Sequence, residues 1–186
     1  MAKGIVLATL GFLLLQEANP DLKYLKDKGI SIQKIAKKEE WKFAEKGKLT
    51  RSQIVISHVV DEVSIEIYSE ELEVDKVNYD PKYSMEQSWK TLSSDGQYKD
   101  AKQVKKIEAI NFPGRAASGV KVWLLDMTMK LPTGMPIEWK QHCFIGHENR
   151  AGYIVHVITK EGDYEKHKAD INLMLSSIKT YKIPKK

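Results

Sequence analysis

After residue 28 hydrophobic positions alternate with polar ones: Ile30, Ile32 and Ile35, then Trp41 and Phe43, then Ile54 and Ile56, then Val63, Ile65 and Ile67. A repeat of two places successive side chains on opposite faces of an extended chain, so these runs predict four strands. Residues 37–40 and 47–50 and the pair Asp61, Glu62 form the polar breaks between them. One apolar and one more polar face per strand is the pattern of an antiparallel sheet. Asp80 and Pro81 end the alternation, and Ser84 with Gln87 has the spacing of a capping box opening a helix. Met85, Trp89 and Leu92 follow at helical spacing up to Gly96, a stripe expected to bury against the sheet. Between residues 103 and 111 Val104, Ile107 and Ile110 do not alternate strictly, which predicts an irregular strand with a bulge. Residues 120–129, 137–145 and 153–159 predict three long strands in a meander. Pro132, Gly134 and Pro136 lie in the first connection, and Gly146 and Gly152 flank the second. From residue 163 to about 179 Tyr164, His167, Ile171, Met174, Leu175 and Ile178 share one face, the clearest amphipathic helix of the chain.

The amino terminus has a different character. Lys3 precedes an uncharged, mostly apolar run of twelve residues, 4–15, followed by Gln16, Glu17 and Ala18. A charged start and a short apolar run are the plan of a secretory signal, whereas a membrane span needs about 20 residues. The competing reading is a buried N-terminal helix. Asn19 and Pro20 are then expected to open a short helix carrying Leu22 and Leu25, with Gly29 as its stop. The expected division is a signal peptide at 1–18, a lead-in at 19–28, one α+β domain at 29–180 and a basic tail at 181–186. The expected location is secreted or periplasmic, with the cytoplasm as the alternative.

A chain of 186 residues is one compact domain or one domain plus a short appendage, and its 4 Trp, 8 Tyr and 4 Phe supply apolar surface for a core. Thirty basic against twenty-five acidic residues give a net charge of +5, yet only Arg51, Arg115 and Arg150 are arginine. Nucleic-acid readers favour arginine for bidentate contacts, so a lysine-based excess disfavours a nucleic-acid partner. Cys143 is the only cysteine, which excludes an intrachain disulfide and a thiolate metal cluster, and its setting is that of a small buried hydrophobe.

Three constellations carry candidate chemistry. Asp61, Glu62, Glu66, Glu70, Glu71, Glu73 and Asp75 put seven acids and no base into fifteen residues. Glu66, Glu70, Glu71 and Glu73 are a candidate surface for a basic partner or a divalent cation, set against a solvated strand face. His142, His147, Glu148 and His156 gather around one hairpin and have the donor types of a histidine–carboxylate metal site. Register decides it: with 146 opposite 152 the two strand histidines share a face, and a slip of one residue separates them. His58 and His167 have no companions in the sequence, and His167 is expected to pack along the helix–sheet seam. Lysines 34, 37, 38, 42, 46 and 48 around Trp41 and Phe43 have the composition of a single-strand binder, diluted by Glu39, Glu40 and Glu45; both aromatics are expected in the core. A glycine–x–serine–x–glycine nucleophile turn and a phosphate-cradling glycine loop are both absent, so no catalytic residue and no cofactor is assigned.

The order of strands, central helix, strand meander and closing helix resembles the PsbP-like family. The stretches that carry the likeness are 29–41 with Gly-Ile-Ser-Ile and the tryptophan, the helix at 84–94, 112–122 before a long strand, 152–157, and Leu-Ser-Ser-Ile-Lys at 175–179. Where that family commonly has a proline before the tryptophan, this chain has Lys38, Glu39 and Glu40. The resemblance implies an antiparallel sheet between helices, an α/β/α sandwich shared with a small Ran-binding protein. It further implies a non-catalytic, extracytoplasmic accessory domain for binding or assembly. The expected partner is a protein or a membrane-proximal assembly, the expected state a monomer or weak associate, and the twelve-residue apolar run predicts no stable transmembrane anchor. The alternatives are a metalloprotein or enzyme using the histidine hairpin, or an intracellular Ran-binding-like adaptor.

Overall fold

The computed structural model describes residues 23–45, 47–49, 51–71, 80–94, 98–111, 121–146 and 151–182, so the expected signal at 1–18 lies outside the described residues. In place of the expected lead-in helix there is a strand, β1 (Lys23–Leu25), and a single 3-10 turn at Lys26–Lys28. A few residues cannot bury a helical face, and the next strand offers a pairing edge instead. Gly29, at φ 62°, lies in the left-handed region and reverses the chain, so that Leu25 on β1 pairs with Ile30 on β2 (Ile30–Ile32).

The alternating runs form β3 (Trp41–Phe43), β4 (Ile54–His58) and β5 (Val63–Glu71), as their period of two predicts. The expected irregular strand at 103–111 is two strands, β6 (Lys99–Gln103) and β7 (Glu108–Asn111), both antiparallel to β8 (Lys121–Lys130). Asp100 at φ 58° sits where the β6 register shifts, ahead of the expected stretch, and the alternation at 103–111 is broken because Val104 and Ile107 lie in the gap between the two strands. β8 continues into β9 (Pro136–Ile145) and β10 (Ala151–Lys160), the expected meander. The large sheet has eight strands in the order β3–β4–β5–β10–β9–β8–β6, with β7 also on β8, and its pairings are antiparallel.

Among the described residues two α-helices cover it. α1 (Pro81–Ser94) begins three residues before Ser84, because the Asp80 carboxylate accepts the Lys82 N–H at 2.9 Å and Pro81 takes the first helical position. Ser84 and Gln87 therefore lie within the helix and do not cap it. Asp80→Ala is expected to lower stability by about 1 kcal/mol in urea unfolding, while Ser84→Ala changes it little. α2 (Asp163–Ser176) ends sooner than the apolar stripe suggests. Ser177 Oγ donates to the Met174 carbonyl and accepts the N–H groups of Gln33 and Lys34, pulling the chain out of the helix. Ile178 then starts β11 (Ile178–Thr180), which pairs with β2 and completes a three-stranded sheet.

The sheet parity sorts the core into two layers. On one face Trp41, Ile54, Ile56, Ile65, Ile67, Val155 and Val157 pack under Ile171, Met174 and Leu175 of α2 and under Ile30, Ile32 and Ile178 of the small sheet. On the other Leu125, Met127, Ile137, Trp139, Cys143 and Ile158 pack under Met85 of α1, with Trp89 and Leu92 beside it. Cys143 is fully buried, the expected small hydrophobe. Among the described residues no helix is long and apolar enough to cross a membrane.

Candidate functional site

Helix α1 covers β8 and β9 but not the β5–β10 side of the same face. There the second wall is the connection between β3 and β4. A cleft of about 640 Å³ opens between them, within the size range of small-molecule sites. One wall is a stripe of α1, Ser84, Gln87, Ser88, Thr91 and Leu92, spaced three and four residues apart and so on one helical edge. Opposite it stand Leu49, Arg51 and Ser52, with Tyr98 closing the side near β6. The floor is Tyr68 of β5, Trp139 and Gln141 of β9, and Ile154 and His156 of β10.

Cross-strand pairing brings the floor together: Tyr68 lies opposite Ile154, and His156 lies opposite Gln141 on one side and Glu66 on the other. The Trp139 indole N–H donates to His156 Nδ1 at 3.0 Å. An indole nitrogen only donates, so Nδ1 is the unprotonated nitrogen and the ring proton sits on Nε2. Burial, reinforced by the nearby His142, pushes the His156 pKa down to about 3. The ring is therefore neutral at pH 7 and fixed in one tautomer. Its Nε2–H has no hydrogen-bond partner among the described residues and is the donor His156 can offer to the cleft. Tyr98 and Trp139 stand edge to face at 6.3 Å, their planes 65° apart, and form an angled aromatic corner beside it.

The wall carrying Arg51 is held from below by Glu66. Its carboxylate is fully buried and accepts the Lys48 N–H at 2.7 Å, the Leu49 N–H at 3.0 Å, the Ser52 hydroxyl at 2.6 Å and the Ser64 hydroxyl at 3.0 Å. Gly47 lets the loop pass so close that a Cβ there would collide with this carboxylate. Glu66 was expected on a partner-binding surface with Glu70, Glu71 and Glu73, and here the structure corrects the expectation. Strand parity turns Glu66 onto the α1 face beneath the loop, where four donors occupy its oxygens. Glu70 and Glu71 extend β5 at its end, and Glu73 lies outside the described residues.

The histidine hairpin takes the separating register. Gly152 pairs with Ile145, so His142 lies opposite Val155 and His156 opposite Gln141. His142 thus faces the α2 side and His156 the α1 side, and the two do not meet as ligands of one metal. His147 and Glu148 lie outside the described residues. Burial lowers the His142 pKa to about 4, partly offset by a hydrogen bond with the Val155 backbone.

A set the sequence did not reveal joins His58, Asp61 and His167, whose ligand-type atoms lie within 4.8 Å of one another. Each atom is already engaged. Asp61 Oδ2 receives Lys166 Nζ at 2.6 Å and meets His167 Nε2 at 2.7 Å, while His58 Nδ1 accepts the Asp61 N–H at 2.9 Å. The hydrogen bonds from Lys166 and His167 hold the Asp61 carboxyl below its usual range. Trp41 stands edge-on to both imidazoles at 5.1 and 5.7 Å. The arrangement clasps α2 to the β4–β5 turn. His167 does lie on the helix–sheet seam, but with companions 109 and 106 residues away, a distance no local motif spans.

No family model matches this chain, and no curated protein matches it. Among solved structures it is similar to the cyanobacterial PsbP (CyanoP) from Synechocystis sp. PCC 6803, at 14% identity and a TM-score of 0.60 over 97% of this chain and 98% of that one. It is also similar to LpqN of Mycobacterium tuberculosis, a protein involved in cell envelope biogenesis, at 12% identity and 0.59 over 87% and 90%. A protein from Bacteroides thetaiotaomicron VPI-5482 follows at 10% identity and 0.53, over 87% of this chain and 48% of that one. The fold is PsbP-like, an α+β sandwich as the sequence resemblance implies.

Proposed function

We propose that the chain is a non-catalytic binding domain of PsbP-like type that works outside the cytoplasm, with the cleft under α1 as its binding site. The observation that carries this reading is the state of His156. It is the one imidazole among the described cleft-lining residues, and a ring neutral down to about pH 3 and locked by Trp139 serves as a fixed hydrogen-bond donor. A general base needs a pKa near the working pH, which this ring lacks. Preformed shape and fixed donors are what a binding site requires. Lys3 with the apolar run at 4–15 supports export, and the likeness in fold to an envelope-biogenesis protein is in keeping with it. Glu70, Glu71 and Glu73 remain proposed contacts, at the end of β5 and beyond it, for a protein partner or membrane-proximal assembly, now without Glu66.

Fractionation of the native host with intact-mass measurement tests the location: the expected product is extracytoplasmic and shorter by roughly the first twenty residues. A full-length cytosolic protein overturns that half and favours the adaptor alternative. Native mass spectrometry of the same material tests the cleft. A non-covalent adduct is expected on the wild type and is lost in Ser88→Trp, whose indole fills the cleft from a half-buried helical position. Equal spectra for the two proteins overturn cleft binding.

A further inference from the structure

We infer that the cleft under α1 takes a small organic anion with a flat, aromatic body, an assignment that rests on the reading of the cleft as a binding site. In a chain with 30% charged residues, the described residues that line the cleft include a single ionised side chain, Arg51, and no carboxylate. Arg51 has no acidic partner among the described residues, so its guanidinium is available for a planar, bidentate contact with a carboxylate or a comparable anion. The remaining polar groups reinforce this sign. His156 presents a fixed Nε2–H, and the hydroxyls of Ser88 and Tyr68 can donate as well, whereas the Ser52 hydroxyl is committed to Glu66. Among the described residues of the lining, a cationic ligand would meet the arginine with no carboxylate to offset it.

The body of the ligand follows from the floor. Trp139 and Tyr98 make an edge-to-face pair beside Ile154 and Leu92, an aromatic and apolar corner against which an aromatic ring can pack. The volume of about 640 Å³ accommodates one or two fused rings with water to spare. Anion recognition at the Arg51 wall and aromatic packing at the floor place the two ends of one molecule.

The test uses three matched acid and amide pairs as probes: benzoate and benzamide, 2-naphthoate and 2-naphthamide, indole-3-acetate and indole-3-acetamide. Each is titrated into the protein while the Trp139 indole N–H resonance is followed by NMR, since that proton bonds His156 at the cleft floor. At least one acid is expected to shift it with an affinity tenfold or more above its amide. Arg51→Gln should erase the difference between acid and amide, and Ser88→Trp should abolish the shift from both. Arg51 is exposed and Ser88 half-buried, so both variants are expected to keep the wild-type unfolding midpoint. If amides bind as tightly as acids and Ser88→Trp still removes them, the anion assignment falls and cleft binding stands. If no acid moves the resonance, the assignment also falls, and the adduct experiment then decides separately whether cleft binding falls with it.

Discussion

Glu66→Ala is expected to lower the unfolding free energy by about 3–5 kcal/mol at pH 7, against less than about 0.5 kcal/mol for an ordinary surface acid. The reason is the number of groups that depend on one carboxylate. Alanine leaves the Lys48 and Leu49 N–H groups and the Ser52 and Ser64 hydroxyls without their acceptor, in a place where Glu66 has no solvent exposure. Each buried donor left unsatisfied costs about 1–3 kcal/mol, reduced where the loop relaxes and lets water in. Glu66→Gln keeps one carbonyl oxygen but turns an NH2 toward a donor, so a cost of about 2 kcal/mol is expected for it. Because the same carboxylate anchors the loop bearing Leu49, Arg51 and Ser52, both variants should also weaken any cleft ligand. Urea unfolding with linear extrapolation measures the first effect. A loss below about 1 kcal/mol for the alanine variant would mean that the buried carboxylate is not holding the loop.

Glu66 also shows where the sequence stops being informative. Seven acids in fifteen residues look like one surface, yet strand parity inside β5 puts Ser64, Glu66 and Tyr68 on the α1 face and Val63, Ile65 and Ile67 on the other. Only the knowledge that both faces are covered makes Glu66 a buried residue. Parity was legible, and so were the strands it defines: Trp41 with Phe43, Ile54 with Ile56, and the long meander all lie within a residue or two of their expected bounds. Elements fixed by local pattern are written in the chain. Those fixed by a distant partner are not, as β11 shows, since Ile178 continues the α2 stripe and leaves the helix only because β2 lies within reach.

The site was legible to a lesser degree for the same reason. On α1 the polar stripe Ser84, Gln87, Ser88 and Thr91 runs beside the apolar stripe Met85, Trp89 and Leu92, and its hydroxyl and amide character was a visible signal of a solvent-facing groove. The other walls come from β5, β9, β10 and the β3–β4 connection, which meet only through sheet order. The one-residue register of the β9–β10 hairpin, unreadable where 147–150 offer no defined turn type, decided that His142 and His156 part company. That separation gives each imidazole its own buried environment in place of a shared metal.

Those two environments make the protein acid-labile well above the carboxylate range. His142 and His156 are held by burial near 4 and near 3, against 6.5 when exposed. Both folded values are depressed, so at low pH the unfolded chain binds the protons and stability rises with pH. The stabilisation is fully present above about pH 7 and is lost as pH falls through 6.5 toward the folded values. Two extra protons on the unfolded chain give a limiting slope of about 2.7 kcal/mol per pH unit, and a loss of about 4 kcal/mol is expected between pH 7 and pH 5. Asp61, held below 3.8 by Lys166 and His167, adds to the loss only at lower pH, so the window from 5 to 7 belongs to the imidazoles. Urea unfolding from pH 7.5 to 4.5 should show this dependence, and either His142→Gln or His156→Gln should cut the slope to about half. A wild-type profile flat across that range would refute the buried, neutral imidazoles and with them the fixed Nε2–H at the cleft floor. Ligand affinity gives the complementary reading. A ring that titrates near 3 while folded leaves binding unchanged between pH 6 and 8, whereas an acid–base residue working in the cleft would impose its own pKa on that same interval.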